Sequence, residues 1–143
     1  MLGLGMQKLT PVEDAKALFE EAKDWGLWKW LTEKSRARRS ADAAWAALEE
    51  CEKKVKASWS DGVRKAWRAG AQDVDPEMKA AVERLRKACR EGDQARIAAE
   101  AQFDEADRRL STSMAREGAQ MAIDAWILRE KLLRKMESLG RKG

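Results

Sequence analysis

The feature that most constrains this chain is a seam from Leu27 to Ala69, along which side chains recur at alternating steps of four and three residues. Such a heptad pattern is typical of an α-helix that packs lengthwise on another helix, whereas a β-strand has a period of two. The seam residues are Leu27, Leu31, Lys34, Arg38, Ala41, Trp45, Leu48, Glu52, Val55, Trp59, Gly62, Ala66 and Ala69. The pattern predicts one long helix over about residues 27–70.

A shorter helix is predicted before the seam. Thr10 is a good N-cap and Pro11 suits the first helical position, while Glu13 completes a capping box. Gly26 can end this helix in the left-handed conformation. The sequence therefore predicts a first helix over about residues 11–25.

The clearest break in the chain is Gly70–Asp75, where Gly70 can close one helix and Asp75 can cap the next. A second heptad stripe follows, which predicts helices over about residues 76–110 and 112–139. The stripe changes register at Ser111–Ser113, which leaves open whether the last two are one helix or two. All of these elements are assigned to one domain, residues 1–143.

These elements predict an all-α fold. Its centre is an elongated, coiled-coil-like antiparallel helical hairpin, flanked by a short N-terminal helix and a C-terminal helical extension. If the turn at 70–75 is the only reversal, Trp45 lies opposite Ala99–Ala101, so that a large ring meets small side chains. The return arm is then longer than the first arm, and its last part is expected beside helix 11–25.

Several classes of function are disfavoured by what the sequence lacks. There is no histidine, which removes the usual general base and the commonest metal ligand. No glycine-rich phosphate loop follows a strand, and Cys51 and Cys89 are too few for a thiolate metal site. We therefore expect no enzymatic activity, no cofactor, no metal and no small-molecule substrate.

The stretch from residue 24 to residue 40 combines tryptophans with basic side chains. On a helix, Trp28 shares a face with Leu27 and Leu31, whereas Trp30 points elsewhere, so at least one indole is expected to lack cover within the hairpin. Tryptophan and arginine are favoured anchors of protein interfaces, but the same residues suit a membrane surface or nucleic acid. The candidate partner-binding residues here are Trp25, Trp28, Trp30, Lys34, Arg36, Arg38 and Arg39.

The segment from Trp126 to Leu139 is a second candidate, because its apolar face is wider than a two-helix seam requires. Such a surplus face indicates either a partner or the covering of helix 11–25. The candidate residues in this segment are Trp126, Arg129, Leu133, Arg134 and Met136.

Together these features predict a non-catalytic helical scaffold or linker subunit that binds other proteins within a larger assembly. One alternative is a peripheral protein that binds a membrane surface through the same tryptophan and basic residues. Another alternative is a nucleic-acid-binding protein that uses Arg36, Arg38 and Arg39, although a net charge of +4 is modest for that role. No signal peptide or transmembrane segment is recognised, so we expect a soluble or peripheral protein.

Overall fold

The protein is all-α, with long helices packed against one another. The computed structural model describes residues 10–69 and 74–142, and these ranges contain five α-helices, one short 3-10 helix and no strand. The α-helices are α1 (Pro11–Glu21), α2 (Leu27–Ala57), α3 (Asp61–Ala69), α4 (Pro76–Arg109) and α5 (Thr112–Lys142), and the 3-10 helix is Ala22–Asp24.

Two of the helices begin at the caps that the sequence predicts. Thr10 Oγ1 accepts a hydrogen bond from the Glu13 backbone N–H at 3.2 Å, and Asp75 Oδ1 accepts one from Met78 at 2.8 Å. A proline follows each cap at a position where its missing N–H costs no helical hydrogen bond. Local side-chain chemistry therefore sets the starts of α1 and α4.

The long helix predicted over residues 27–70 is not continuous, and that part of the prediction was wrong. α2 ends at Ala57 and α3 begins at Asp61. The hydroxyl of Ser58 donates to the Val55 carbonyl at 2.7 Å, and the hydroxyl of Ser60 accepts from the Val63 N–H at 3.3 Å. Serine hydroxyls compete in this way with the helical ladder, and here they cap two separate helices. The predicted turn at 70–75 lies largely outside the described residues.

Residues 76–139 form two helices, because the chain reverses at Leu110. Leu110 has φ 53° and ψ 43°, which is the left-handed conformation that ends a helix. The Ser111 N–H bonds to the Ala106 carbonyl at 2.9 Å across this cap. The predicted C-terminal extension therefore folds back along α4, and its last turns contact α3 instead of lying beside helix 11–25.

Small residues line the contact between α4 and α5 and allow the two backbones to approach closely. Trp126 of α5 and Gly92 of α4 meet here, as do Gly118 and Gln102, which makes the two helices antiparallel. The buried small residues are Ala88, Gly92, Ala95, Ala99 and Ala106 on α4, and Ala115, Gly118, Ala119 and Ala122 on α5.

α2 packs antiparallel to α4 in nearly the register that the hairpin prediction requires. Arg38 bonds to Asp104 at 3.1 Å, and Arg96 bonds to Glu49 at 2.9 Å. Trp45 is fully buried in the same cluster as Ala99.

α5 runs parallel to α2, so that α2, α4 and α5 form a three-helix arrangement. α1 packs against it through Phe19, and the last turns of α5 cover α3.

Candidate functional site

The first turns of α2 carry large apolar side chains that the rest of the protein does not cover. Gly26 precedes the helix in an extended conformation, so Leu27, Trp28 and Leu31 fall on the first two turns. Trp28 is 79% exposed, and Leu27 and Leu31 are exposed beside it. We call these three residues the Trp28 surface. It presents a large aromatic ring to solvent at the start of a helix.

The other two tryptophans of this stretch have different environments. Trp30 is only 2% exposed and lies in the core with Phe103. Trp25 is half-buried, and the Lys29 ammonium lies 6.0 Å from the centre of its ring. Helical geometry explains the difference, because two residues along α2 turn a side chain from the outer face to the inner face. The sequence prediction is thus reversed: Trp30, which was expected to point away from the seam, is buried, and Trp28, which shares a face with the seam residues, is the exposed indole.

Most of the basic residues that follow are engaged in ion pairs with acidic neighbours. Lys34 Nζ lies 2.6 Å from an Asp107 oxygen, and Arg38 binds Asp104 while lying 5.2 Å from the centre of the Phe103 ring.

Arg36 pairs within its own helix with Glu33 at 2.5 Å. Arg39 is exposed, and no ion pair to it occurs among the described residues. A positive surface that would attract phosphate or anionic lipid is therefore largely neutralised here.

The apolar residues of the second predicted patch lie inside the protein. Trp126, Leu133 and Met136 are buried, and the Trp126 Nε1–H donates to the Gly92 carbonyl at 2.9 Å. The wide apolar face of this segment is thus used by α2, α3 and α4, and these three side chains do not form a surface for another protein in this structure. The reversal at Leu110 is the reason, because it places the segment between two helices.

The arginines of that segment make intramolecular contacts. Arg129 donates to Asp93 at 2.8 Å and to Glu52 at 2.9 Å. Burial alone would lower the pKa of Arg129, but the hydrogen bonds to Glu52 and Asp93 raise it above the ordinary value. Arg134 is exposed and bonds to Glu130 at 3.2 Å.

Other large apolar residues are exposed outside the predicted patches. Leu110, at the end of α4, lies toward the same end of the bundle as Leu31. Lys34, one turn after Leu31, pairs with Asp107, one turn before Leu110. Met121 and Leu128 of α5 and Ile97 of α4 are exposed on the side of the bundle away from α2. The heptad stripe of the sequence places Leu110, Met121 and Leu128 on an apolar seam, and that assignment was wrong. The α4–α5 packing that follows the reversal at Leu110 leaves these side chains in solvent.

The described residues hold no group of three or more His, Cys, Asp or Glu side chains arranged to bind a metal ion. Within the same ranges, no helix combines the length and the apolar character needed to cross a bilayer. Burial raises the pKa of both the Cys51 and the Cys89 thiols. No protein-family model, no curated protein and no solved structure matches this chain.

Proposed function

We propose that this protein is a non-catalytic helical scaffold that binds another protein through the Trp28 surface. The observation that carries the proposal is the 79% exposure of Trp28 next to exposed Leu27 and Leu31. Tryptophan is the residue type most enriched among the energetically dominant contacts of protein interfaces. Leaving it in water at the end of an ordered helix is costly unless a partner covers it.

The Trp28 surface is well suited to binding because neighbouring side chains packed in the core hold its backbone in place. Trp30, on the opposite side of the same helical turns, is packed in the core, and Trp25 packs against the same cluster just before the helix. A partner that buries Trp28 therefore has little backbone to order, and more of the contact energy remains as affinity.

The local charges favour a protein partner over a lipid surface or nucleic acid. Lys34, Arg36 and Arg38 each have an acidic partner, and Asp107, Glu33 and Asp104 bring as many negative charges to the area. Binding to phosphates or anionic headgroups would have to compete with these ion pairs. A mixed polar rim around an apolar centre is the usual composition of a protein interface.

The experiment that tests this proposal is affinity capture from a native lysate with three forms of the purified protein. The wild-type chain and Ile97→Ala are expected to recover the same partner, since Ile97 is an exposed apolar residue on another face. Trp28→Ala is expected to weaken binding of that partner at least about 30-fold, the effect of removing a contact worth about 2 kcal/mol.

Two further measurements use the same three proteins. Vesicles that contain anionic lipid, and a fluorescent oligonucleotide at low salt, are expected to bind none of them. Binding to vesicles that disappears in Trp28→Ala would replace the protein partner with a membrane surface. Recovery of identical partners by wild type and Trp28→Ala would rule out the proposed role of this surface.

A further inference from the structure

A small pocket lies between two tryptophans at the junction of α2 and α3. It has a volume of about 200 Å³. Trp59 is buried and Trp67 is half-buried, and their rings meet edge to face with the ring centres 6.2 Å apart. The described residues that line the pocket are Lys56, Trp59, Arg64, Trp67 and Arg68. Its lining is therefore aromatic and basic, with no carboxylate among these residues.

Two arginines of the pocket stand side by side on α3. Val63 and Ala66 are buried, so the opposite face of this short helix is in solvent and carries Arg64 and Arg68 one turn apart. Arg64 Nη2 donates to the Ala57 carbonyl at 2.7 Å, which holds the guanidinium over the end of α2. The two guanidinium groups are thus presented together beside the pocket.

Two further cations contact the Trp67 ring. Lys56 Nζ lies 5.2 Å from the ring centre, and the Arg86 guanidinium of α4 lies 4.9 Å from it. Arg86 also donates to the Trp67 backbone carbonyl. Aromatic rings and backbone carbonyls therefore hold most of the cations here, in place of carboxylates.

Positive charge at this end of the bundle is not neutralised as it is beside Trp28. Arg64, Arg68 and Arg86 have no carboxylate partner within the described ranges, and Lys56 shares Glu52 with Arg129. Across residues 53–90, exposed basic side chains outnumber exposed acidic ones. The exposed acidic residues described in that range are Asp61, Asp75, Glu77 and Glu83. The surface around the pocket is therefore positive and attracts an anionic partner.

We infer that this surface binds an acidic segment of a partner protein, with carboxylates on Arg64 and Arg68 and an apolar side chain in the pocket. Guanidinium groups bind carboxylates through two parallel hydrogen bonds, and arginine clusters are a recurring means of recognising acidic motifs. Arginines one helical turn apart are separated by about 6 Å, and alternate residues of an extended segment by about 7 Å. Two glutamates or aspartates flanking one residue can therefore bind both arginines.

The environment of the two indoles favours a protein segment over nucleic acid or lipid. Single-stranded nucleic acid binds where a basic groove adjoins an aromatic face that is free to stack on a base. Trp59 is buried, and a base could stack on Trp67 only by displacing Lys56, Arg86 or Trp59. Insertion into a lipid surface uses exposed apolar side chains, and neither indole is exposed.

This site is separate from the Trp28 surface and goes beyond the proposed function. The distance from Trp28 to Lys56 along α2 is about 40 Å at 1.5 Å per residue. A protein bound at each site would be held at a fixed separation by one rigid helix. The test of this site does not require Trp28 or its partner.

The first test is fluorescence anisotropy with a labelled eight-residue peptide of four glutamates, two leucines and two serines. The wild-type chain is expected to bind it saturably at low salt, and binding should weaken as salt is added. A matched peptide with glutamine in place of glutamate is expected not to bind. Arg64→Gln/Arg68→Gln should raise the dissociation constant at least about tenfold, because two charge-assisted contacts are lost.

Two controls separate this site from a general effect of charge. Arg36→Gln/Arg39→Gln removes the same charge from the other end of α2 and should change the dissociation constant by less than about twofold. Trp28→Ala should bind the peptide as the wild type does.

A single substitution guards against a loss of structure, because Arg64 also bonds to the Ala57 carbonyl. Arg68 is exposed and makes no hydrogen bond within the described ranges. Arg68→Gln alone should keep the wild-type melting temperature and weaken binding at least about threefold.

Several outcomes would overturn this inference. The first is an acidic peptide that stays free at low salt, and the second is a dissociation constant unchanged in Arg64→Gln/Arg68→Gln. A fluorescent oligonucleotide that binds the wild type but not this variant would assign the surface to nucleic acid. Self-association of the wild type that the same variant abolishes would assign it to acidic residues of a second copy.

Discussion

Arg129 of α5 binds Glu52 of α2 inside the helical bundle, with the arginine Nε 2.8 Å from one carboxylate oxygen and Nη2 donating to the other at 2.9 Å. Both side chains are almost fully covered, and the Arg129 guanidinium also lies 4.4 Å from the centre of the Trp126 ring. Glu52 interrupts the heptad seam in the sequence, and this pair explains why a charge is tolerated there.

Removing one member of this pair is expected to be strongly destabilising. Glu52→Gln leaves a buried guanidinium with less compensation, and we expect it to lower the free energy of unfolding by about 3 kcal/mol. Glu49→Gln is the matched control, because Glu49 pairs with Arg96 at the surface and its loss should cost less than about 1 kcal/mol. Urea denaturation of both variants makes the comparison, and equal effects would contradict a special role for the buried pair.

Gly118 is expected to tolerate no larger side chain while the α4–α5 contact is intact. A Cβ at Gly118 would lie 2.6 Å from Gln102 Oε1 and 3.0 Å from Gln102 Cβ. We expect Gly118→Ala to lower the free energy of unfolding by about 1–3 kcal/mol, despite the better helix propensity of alanine.

Gly62 supplies the control for this substitution. A Cβ there meets only Ser60 Oγ at 3.9 Å, so Gly62→Ala should be neutral or stabilising by up to about 1 kcal/mol. Adding Gln102→Ala to Gly118→Ala should recover part of the lost stability, since it removes the nearest atom. No recovery in thermal melts would indicate that the clash is not the cause.

Leu110 is the one described residue other than glycine with a positive φ, and its side chain is exposed. The left-handed conformation costs a residue with a Cβ roughly 1 kcal/mol relative to glycine. Leu110→Gly is therefore expected to stabilise the protein by about 1 kcal/mol, whereas Leu110→Ala should not. A melting temperature that falls in Leu110→Gly would show that Leu110 makes a contact that outweighs its backbone strain.

Cys51 and Cys89 are expected to give the protein an alkaline limit of stability. Burial raises the pKa of each thiol above 9.0, its ordinary value, so the folded state holds these protons more tightly than the unfolded state. Their contribution to stability is complete below pH 9.0 and is lost as the pH rises through the raised pKa values. Denaturation midpoints between neutral and alkaline pH should fall less in Cys51→Ala/Cys89→Ala than in the wild type.

Thiol reactivity provides an independent check of the same property. Both cysteines should react with a thiolate-selective reagent more slowly than a free cysteine at pH 8, because less thiolate is present. Reaction as fast as free cysteine would show that the thiols are neither buried nor raised in pKa.

The helices themselves follow from local information in the sequence. The caps at Thr10 and Asp75 and the heptad stripes predict where α1 and α4 begin and which faces are apolar, because capping and periodicity act within a few residues of the chain. The approximate register of α2 alongside α4 also follows, as the Arg38–Asp104 and Arg96–Glu49 pairs show, but the closest helix contact, between α4 and α5, was not predicted.

The features that could not be predicted depend on residues far apart in the chain. Serine hydroxyls cap the two helices at Ser58 and Ser60, yet Ser35 and Ser40 lie within α2 without interrupting it, so residue type alone does not predict the break. Likewise, the sequence pattern shows Trp126, Leu133 and Met136 as a surplus apolar face. In the structure they are buried, because the reversal at Leu110 folds α5 back against the other helices.

The sequence by itself determined an all-α protein of long amphipathic helices, because hydrogen bonding and side-chain periodicity within each helix are local. Only the tertiary structure decided which apolar residues are left in water. Trp28 and Trp30 are two residues apart and chemically identical, and one is exposed while the other is buried because the bundle covers only one side of α2. That choice is made by the packing of α4 and α5, whose positions depend on one left-handed residue, Leu110.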